Sequence, residues 1–197
     1  MEENPAVAYV DLPFEELLDT IAAETPAPGG GSVAAFTTEM AASLAAMAAR
    51  VARDHWDGWA GAVAQAEALR HRAAPLAVED AVAYENVLTA MRMPRELEAE
   101  VRNTLIGETL SRAADVPLAI AHCAADVADL ASEIAVSGNP NLRGDAAAAA
   151  VLAAGAARVA ANLVEINLGT TEADDRRARV AGVVRGADEA ARRALAH

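Results

Sequence analysis

The sequence Pro26-Ala27-Pro28-Gly29-Gly30-Gly31-Ser32 leads directly into an apolar run over residues 33–51. Consecutive glycines leave main-chain N–H groups unshielded and allow backbone conformations that other residues avoid. Serine is a favoured N-cap, so we predict that Ser32 caps a helix over residues 33–53. The free N–H groups of a helix N-terminus attract anions and polar rings, which makes Gly29, Gly30, Gly31 and Ser32 candidate substrate-binding residues. The alternative is a tight turn in which glycine only lets two helices approach closely.

Alanine dominates the composition, with 54 of the 197 residues. Hydrophobic residues make up 54% of the chain, yet aromatic residues make up only 3%. Alanine is the strongest helix former and a weak strand former, and runs of Val and Ile that alternate with polar residues are missing. We therefore predict an all-α fold: one helical domain over residues 1–197, a bundle of about six to seven helices that includes long alanine-rich ones.

Charge and cysteine content exclude several classes of function. The formal net charge of −13 argues against a nucleic acid as the partner, because its phosphate backbone is also negative. All 16 basic residues are arginine, so no mechanism can use a lysine amine. Cys123 is the single cysteine, which excludes an intrachain disulfide, and no Cys/His set has the spacing of a zinc site. We predict a site without a metal ion.

The pattern of apolar segments favours a cytoplasmic protein that does not enter a membrane. No signal-peptide pattern opens the sequence. Residues 145–163 are apolar enough to resemble a membrane span, but Arg158 and Asn162 interrupt them, and alanine inserts weakly into lipid. We predict that this segment is a buried helix.

Start and stop signals divide the chain into helices. Asp11 and Pro13 mark the start of a first helix that ends before Pro26. Pro94 follows a long helix, and Gly138 is placed to end another. The further predicted helices span residues 33–53, 60–91, 95–114, 116–136 and 146–168, with a final charged helix that opens at residues 171–172.

An acidic residue lies within the most apolar part of the long helix. Asp80 and Tyr84 are four residues apart, so they share one helix face. Aspartate is rarely buried without a partner or a chemical role. We therefore take Asp80 as a candidate catalytic residue and Tyr84 as a candidate substrate-binding residue.

A turn rich in hydrogen-bonding side chains precedes the last alanine-rich helix. Asn139, Asn141 and Asp145 lie within seven residues of one another. In the structural interpretation Asp145 caps the helix that follows it. In the functional interpretation the two asparagines bind substrate and Asp145 is catalytic.

The alanine-rich helix after this turn carries a polar face of its own. Arg158, Asn162 and Glu165 recur at spacings of four and three, with Asn167 nearby. A buried asparagine must be hydrogen-bonded, so Asn162 and Asn167 either tie loops together or face a ligand. Asn162 joins the candidate substrate-binding residues.

Five motifs in this order resemble the cyclodeaminase/cyclohydrolase family, which includes the cyclodeaminase part of formiminotransferase-cyclodeaminase and the stand-alone bacterial methenyltetrahydrofolate cyclohydrolases. The resemblance covers about residues 11–170 and implies an all-helical fold, a homodimer and a folate substrate without a metal. It also implies that the glycine loop, Asp80, the turn over residues 139–145 and Asn162 gather near one cleft. The motifs are PAPGGGS followed by VAA, DAxAY, VPL, GNPNxxxD and NxxxINL.

The resemblance implies hydrolysis of methenyltetrahydrofolate or deamination of formiminotetrahydrofolate, with the tetrahydrofolate derivative as substrate and no separate cofactor. The site must then supply a carboxylate that positions and deprotonates water, with Asp80 and Asp145 as the candidates. Burial in an apolar helix raises the pKa of an acid, so Asp80 is the preferred proton carrier and Asp145 the residue that holds a ring. The alternative function is a dimeric helical protein that binds a folate-like ligand or a partner protein without chemistry.

Alanine-rich helices also predict self-association. Their flat faces pack closely but bury little area each, at roughly 25 cal/mol per Å². A 197-residue chain with so few large side chains gains stability by burying surface in a second copy. We predict a symmetric homodimer.

Overall fold

Helices account for nearly all of the regular structure in this computed structural model, which describes residues 9–94, 98–169 and 174–196. Within those ranges the chain forms seven α-helices and two short 3₁₀ helices, with no β-strand, and the predicted all-α bundle is confirmed. The α-helices are α1 Phe14–Ala22, α2 Gly30–Val51, α3 Trp59–Met91, α4 Ala99–Ala113, α5 Asp115–Ser137, α6 Arg143–Leu168 and α7 Asp175–Leu195; the 3₁₀ helices are Tyr9–Asp11 and Pro140–Leu142.

The core is built from small side chains at which helices approach one another closely. Helix α2 packs against α3, α5 and α6, and α5 and α6 pack against each other and against α7. Alanines form the contact surfaces, and Ile120, Val127 and Val164 are among the few larger side chains that are fully buried. Close packing of many short side chains replaces the aromatic residues that the composition lacks. The buried alanines include Ala34, Ala41, Ala45 and Ala48 of α2, and Ala149, Ala153, Ala156 and Ala160 of α6.

Helices α2 and α6 run side by side in opposite directions, which gives the bundle two distinct ends. At the glycine end, Gly30 and Asn167 line the same cavity. At the asparagine end, Nδ2 of Asn139 donates a hydrogen bond to the carbonyl oxygen of Val51. Because α2 has 22 residues, about 33 Å separate the two ends at ~1.5 Å per residue.

Several helix starts differ from the sequence prediction. Asp11 lies in the 3₁₀ helix before α1, and the N-cap position of α1 is Pro13, which has no capping side chain. Helix α6 begins at Arg143, so Asp145 lies in its first turn and does not cap it. Asp174 caps α7 by accepting a hydrogen bond from the N–H of Arg176. The predicted starts of the fourth and last helices, at residue 95 and at residues 171–172, lie outside the described residues.

Two segments are long and apolar enough to cross a membrane by length and composition alone: Gly30–Val51 and Pro140–Leu168. Within the bundle, 56% of the first apolar window and 50% of the second are buried. Both helices carry rows of core alanines, as core helices of a bundle do. The predicted buried helix over residues 145–163 is thus half inside the core and half at the surface.

Candidate functional site

A cavity of about 260 Å³ opens at the glycine end of the bundle. Its floor is formed where α3 crosses the start of α2, and its wall is the end of α6. The volume is close to the lower end of the ~300–1,000 Å³ that small-molecule sites typically enclose. The lining residues are Pro26, Ala27, Gly29, Gly30, Gly31, Asp80, Ala81, Ala83, Tyr84, Val87, Ala113, Leu163, Ile166 and Asn167.

Glycine at position 31 is required by the close approach of the Asp80 side chain. A Cβ atom on Gly31 would overlap both carboxylate oxygens and Cγ of Asp80. A Cβ atom on Gly30, in contrast, would have no atom within 4 Å. Gly31 and Gly30 therefore have different roles: Gly31 makes room for a carboxylate, whereas Gly30 lies open toward the cavity.

Ser32 does not cap α2, which corrects the sequence prediction. The helix already begins at Gly30, and Ser32 is fully buried in its first turn. Its backbone N–H donates to Oδ2 of Asp80 at 3.0 Å, and its hydroxyl donates to the carbonyl oxygen of Ala77 at 2.8 Å. The serine hydroxyl also lies 3.4 Å from Oδ2 of Asp80, but its single hydrogen is taken by the shorter bond. Asp80 thus performs from α3 the capping that was expected of Ser32.

Asp80 is partly buried and its side chain lies among the residues that line the cavity. Desolvation by burial raises the pKa of its carboxyl group, and the backbone hydrogen bond from Ser32 only partly opposes that rise. Within the described ranges no hydrogen bond reaches Oδ1 of Asp80. This part of the prediction is confirmed: Asp80 is a partly desolvated acid whose pKa is moved toward that of a useful base.

Two further polar side chains line the cavity, one predicted and one missed. Tyr84 lies one turn beyond Asp80, as the four-residue spacing requires. Asn167 was noted only as a neighbour of Asn162, yet it lines the cavity and its Nδ2 donates to the carbonyl oxygen of Ala113 at 3.0 Å. That bond fixes the amide and leaves Oδ1 of Asn167 as an acceptor. Its spacing from Leu163, which lines the same wall, was the signal in the sequence.

Asn162 lies elsewhere than predicted. It is exposed on the outer surface of α6 and does not line the cavity. The polar face assigned to this helix is a row of ion pairs to α7, in which Arg158 binds Asp188 at 2.8 Å and Glu165 binds Arg177. The prediction that Asn162 faces the cleft is therefore wrong within one chain, and Asn167 takes that place.

The turn over residues 139–145 also lies away from the cavity, at the asparagine end. The side chain of Asn139 accepts a hydrogen bond from the N–H of Asn141 at 2.9 Å, so it caps the 3₁₀ helix. Asn141 and Asp145 are exposed. One chain therefore brings together the glycine loop, Asp80 and Tyr84, and it leaves Asn139, Asn141 and Asp145 about a helix length away. The single cleft that the resemblance implied is not formed within one chain.

The described residues contain no group of three or more His, Cys, Asp or Glu side chains placed to hold a metal ion. Cys123 is buried in α5, and desolvation raises the pKa of its thiol to about 11. A thiol with so high a pKa is a poor nucleophile. The polar side chains that line the cavity are those of Asp80, Tyr84 and Asn167.

A second, more open groove of about 750 Å³ adjoins the cavity and shares Ala83 and Ala113 with it. Its walls are α3 and the end of α4, and they are largely apolar. Arg112 and Glu79 contribute its charged side chains. The two spaces are neighbours at these alanines, with Asp80 among the residues of the smaller one and largely apolar walls in the larger one.

Comparisons with known proteins identify the family of the chain. The family model described as Formiminotransferase-cyclodeaminase matches residues 13–185. A methenyltetrahydrofolate cyclohydrolase from Methylorubrum extorquens is 32% identical over 162 residues, which cover 78% of this chain and 78% of the relative. A formimidoyltransferase-cyclodeaminase from Sus scrofa is 31% identical over 157 residues, which cover 76% of this chain but 29% of the pig protein.

The crystal structure of formiminotetrahydrofolate cyclodeaminase from Thermotoga maritima has the same fold, with a TM-score of 0.81 and 26% sequence identity over 94% of each chain. The resemblance drawn from the five motifs is thereby confirmed. The chain belongs to the formiminotransferase-cyclodeaminase family.

Proposed function

We propose that this protein is an enzyme of folate one-carbon chemistry that acts on the carbon bridging N5 and N10 of tetrahydrofolate. The observation that carries the proposal is Asp80: it lines the cavity, one of its oxygens accepts a hydrogen bond from the backbone N–H of Ser32, and burial raises the pKa of its carboxyl group. The names of the related proteins from Methylorubrum extorquens and Thermotoga maritima supply the substrate class.

Hydrolysis of the methenyl form needs little activation of the carbon, because the bridge is an amidinium-like cation and already electrophilic. Asp80 would accept a proton from a water molecule as its oxygen bonds to that carbon. The carbon–N5 bond then breaks, the protonated carboxyl group returns its proton to the departing nitrogen, and the hydroxyl proton is lost to solvent as the C=O bond forms. The product carries a formyl group on N10, and the reaction consumes one water molecule.

Deamination of the formimino form passes through a tetrahedral carbon of the same kind. N10 attacks the carbon of the protonated formimino group, and Asp80 takes the proton that N10 loses and passes it to the amino group. The bond between the carbon and that amino group then breaks, which releases ammonia and leaves the methenyl cation. One carboxyl group that can both accept and donate a proton serves either reaction. The proposal therefore covers both, and it requires neither a metal nor a separate cofactor.

The shape of the site suggests how an elongated folate would bind. The pterin ring would occupy the narrow cavity, where N–H groups of the glycine loop and Oδ1 of Asn167 face polar ring atoms. The benzoyl part would lie along the apolar groove. Arg112 would bind a carboxylate of the glutamate tail.

The test is a direct assay with purified protein. Methenyltetrahydrofolate absorbs in the near ultraviolet, so hydrolysis appears as a loss of that absorbance faster than in buffer. Formiminotetrahydrofolate is assayed by ammonia release. A folate that raises the melting temperature but is not turned over would instead favour the non-catalytic binding protein, and neither binding nor turnover would overturn the proposal.

We also propose that the working unit is a homodimer. The support is the composition, which leaves a single chain with few large buried side chains. Light scattering across micromolar concentrations should give twice the mass of one chain, and a mass of one chain throughout would contradict it.

A further inference from the structure

The end of helix α4 forms one wall of the larger groove, yet packing in the core does little to hold this helix in place. Ala113, its last residue, is the one residue of α4 that is buried. Most of its other side chains are exposed, and Val101 and Leu105 are 46% and 39% exposed. A helix that buries no apolar stripe depends on contacts at its ends for its position.

Arg176 of α7 binds the junction at which α4 ends and α5 begins. One terminal nitrogen donates to the carbonyl oxygen of Ser111 and to Oδ1 of Asp115, both at 2.7 Å. The other donates to the hydroxyl of Ser111 at 2.7 Å and to Oδ2 of Asp174 at 2.6 Å. Nε donates to Oδ1 of Asp174 at 2.9 Å. Each of the five N–H groups of the guanidinium therefore has an acceptor.

The pair of Arg176 and Asp174 is largely shielded from water, because the two side chains are only 14% and 15% exposed. The hydrogen bonds from Arg176 lower the pKa of Asp174 to about 2, so both charges persist near neutral pH. Asp174 thus holds the guanidinium in place to donate to Ser111 and Asp115. A planar group with five donors in fixed directions can make these bonds together, whereas a lysine amine has three donors at one point.

The junction of α4 and α5 borders both spaces of the candidate site. Arg112 follows Ser111 directly and contributes a charged side chain to the larger groove. Ala113 lines the groove and the cavity, and its carbonyl oxygen accepts the hydrogen bond from Asn167 of the cavity wall. Side chains of α6 and α7 therefore hold the last turn of α4 at two carbonyl groups, one on each side of Arg112 in the sequence.

We propose that Arg176 is a positioning residue for the substrate, because it fixes the junction of α4 and α5 so that Arg112 faces the groove. The inference rests on the proposed function, in which Arg112 binds a carboxylate of the glutamate tail. Arg176 acts through Ser111 and is not among the described residues that line the two spaces. Its loss should weaken binding of the tail more than it slows the chemical step, since Asp80 is held by α2 and α3.

Arg193 provides a matched control on the same helix. Its Nε donates to the hydroxyl of Ser132 at 2.9 Å, and a terminal nitrogen lies 3.3 Å from Oδ1 of Asp129. It too joins α7 to α5 through a serine and an aspartate. It lies about 25 Å further along α7 than Arg176, at ~1.5 Å per residue. Arg193 and Asp129 line a separate groove.

Kinetics with methenyltetrahydrofolate separate positioning from stability. Arg176→Met should raise KM about tenfold and lower kcat less than about threefold, since binding is lost and chemistry is not. Arg193→Met should leave KM within about twofold, although both variants should melt at a lower temperature. An equal rise of KM in the two variants, or no rise in Arg176→Met, would overturn the proposal.

Ser111→Ala keeps the test open if Arg176→Met does not fold. It removes one acceptor and leaves the carbonyl of residue 111 and the pair with Asp174 in place. KM should rise about two- to fivefold, and an unchanged KM would overturn the proposal.

A double variant tests whether Arg176 acts through Arg112. Arg112→Met alone should raise KM about tenfold, as the loss of one charged hydrogen bond does. If Arg176 positions Arg112, adding Arg176→Met should raise KM by no more than about twofold further. Effects that multiply would show that the two arginines act independently, and would overturn the proposal.

Amide hydrogen exchange without folate tests the geometry apart from the function. Arg176→Met should speed exchange in peptides from the last turns of α4, and Arg193→Met should speed it around Ser132 of α5. Unchanged exchange at the end of α4 in Arg176→Met would overturn the proposal. Wild-type protein that is inert toward folates would instead contradict the proposed function, and the exchange result would still show whether Arg176 holds the junction.

Discussion

At both ends of α2, a side chain from another segment forms a hydrogen bond with a backbone group of the helix, but the consequences differ. At the glycine end, the carboxylate of Asp80 accepts a hydrogen bond from a backbone N–H of the first turn. At the asparagine end, the amide of Asn139 donates to the carbonyl oxygen of Val51. Both side chains satisfy helix-end groups that would otherwise lack partners. Capping alone therefore does not distinguish a structural residue from a chemical one.

The cavity makes the difference: Asp80 lines it, whereas Asn139 does not. The side chain of Asn139 forms hydrogen bonds only with backbone groups: its nitrogen donates to the carbonyl oxygen of Val51, and its oxygen accepts from the N–H of Asn141. Asp80 accepts a hydrogen bond from Ser32 at one oxygen and lines a cavity, and burial raises the pKa of its carboxyl group. A carboxylate is costly to bury, and this one is held where a ligand could contact it. The predictions below test that distinction, beginning with the largest effect.

Asp80→Asn should lower turnover by about 10²–10⁴, because the amide cannot accept the proton that a general base takes. Its oxygen can still accept the hydrogen bond from the N–H of Ser32, so the fold should persist. Steady-state kinetics and thermal melting measured on the same preparation separate the two effects. Turnover near that of the wild type, or loss of the folded state, would show that Asp80 is only a cap.

Gly31→Ala should displace the Asp80 carboxylate, because the added Cβ would overlap it. We expect a fall in turnover of at least tenfold and a loss of about 1–3 kcal/mol in the free energy of unfolding, as for other overpacked sites. Gly30→Ala is the matched control for stability, since its Cβ would meet no atom within 4 Å. Equal melting temperatures for the two variants would contradict the close approach of Gly31 and Asp80.

The pH dependence of activity and of stability should run in opposite directions. The pKa of Asp80 is raised above 3.8, so the folded chain binds this proton more tightly than the unfolded chain does. Its contribution to the free energy of unfolding is therefore present below pH 3.8 and is lost as the pH rises through the raised pKa. A general base acts only when ionised, so turnover should rise through the same window.

Denaturant titrations of the wild type and of Asp80→Asn across that pH range measure the stability part. The wild type should lose stability relative to the variant as the pH rises. A constant difference between the two proteins would mean that Asp80 does not titrate with a raised pKa.

Ser32→Ala should mainly affect stability. The buried hydroxyl donates to the carbonyl oxygen of Ala77, and its removal should cost about 1–2 kcal/mol. The backbone N–H that binds Asp80 remains, so turnover should change less than tenfold. Urea denaturation and kinetics check both parts, and a loss of turnover as large as that of Asp80→Asn would assign the Ser32 hydroxyl a direct chemical role.

The sequence was sufficient for the fold because alanine content and helix punctuation are local signals. The sequence also predicted that Asp80 is partly desolvated, because an acidic residue within an apolar helix is visible as a pattern. It failed at Ser32 because the group that caps α2 comes from 48 residues further along the chain. The N-cap rule considers only neighbouring residues, so it assigned the capping of α2 to Ser32. Tertiary packing shows that Asp80 is the acceptor.

The predicted positions of the asparagine residues were wrong for a related reason. Helical spacing places Asn162 and Asn167 on different faces of α6, but it does not tell which face borders a cavity. Arg158 and Glu165 form ion pairs with α7, so the side of α6 that carries them packs against that helix. Leu163 and Asn167 line the cavity instead. The sequence also could not show that the turn over residues 139–145 lies a helix length from the cavity, because that depends on the antiparallel pairing of α2 and α6.

Asp145→Asn should have the smallest effect on stability. Asp145 is exposed in the first turn of α6 and is not its N-cap, so the loss expected for a capping residue does not apply. What remains is the attraction between a carboxylate and a helix N-terminus, about 0.3–1 kcal/mol at low ionic strength. Thermal melting in low and high salt measures it, with Asp145→Ala as a control that removes the side chain's polar group. A larger loss in the free energy of unfolding would show that Asp145 stabilises the start of α6 by more than its charge. A small loss of stability combined with a large loss of turnover would place its function outside its own chain.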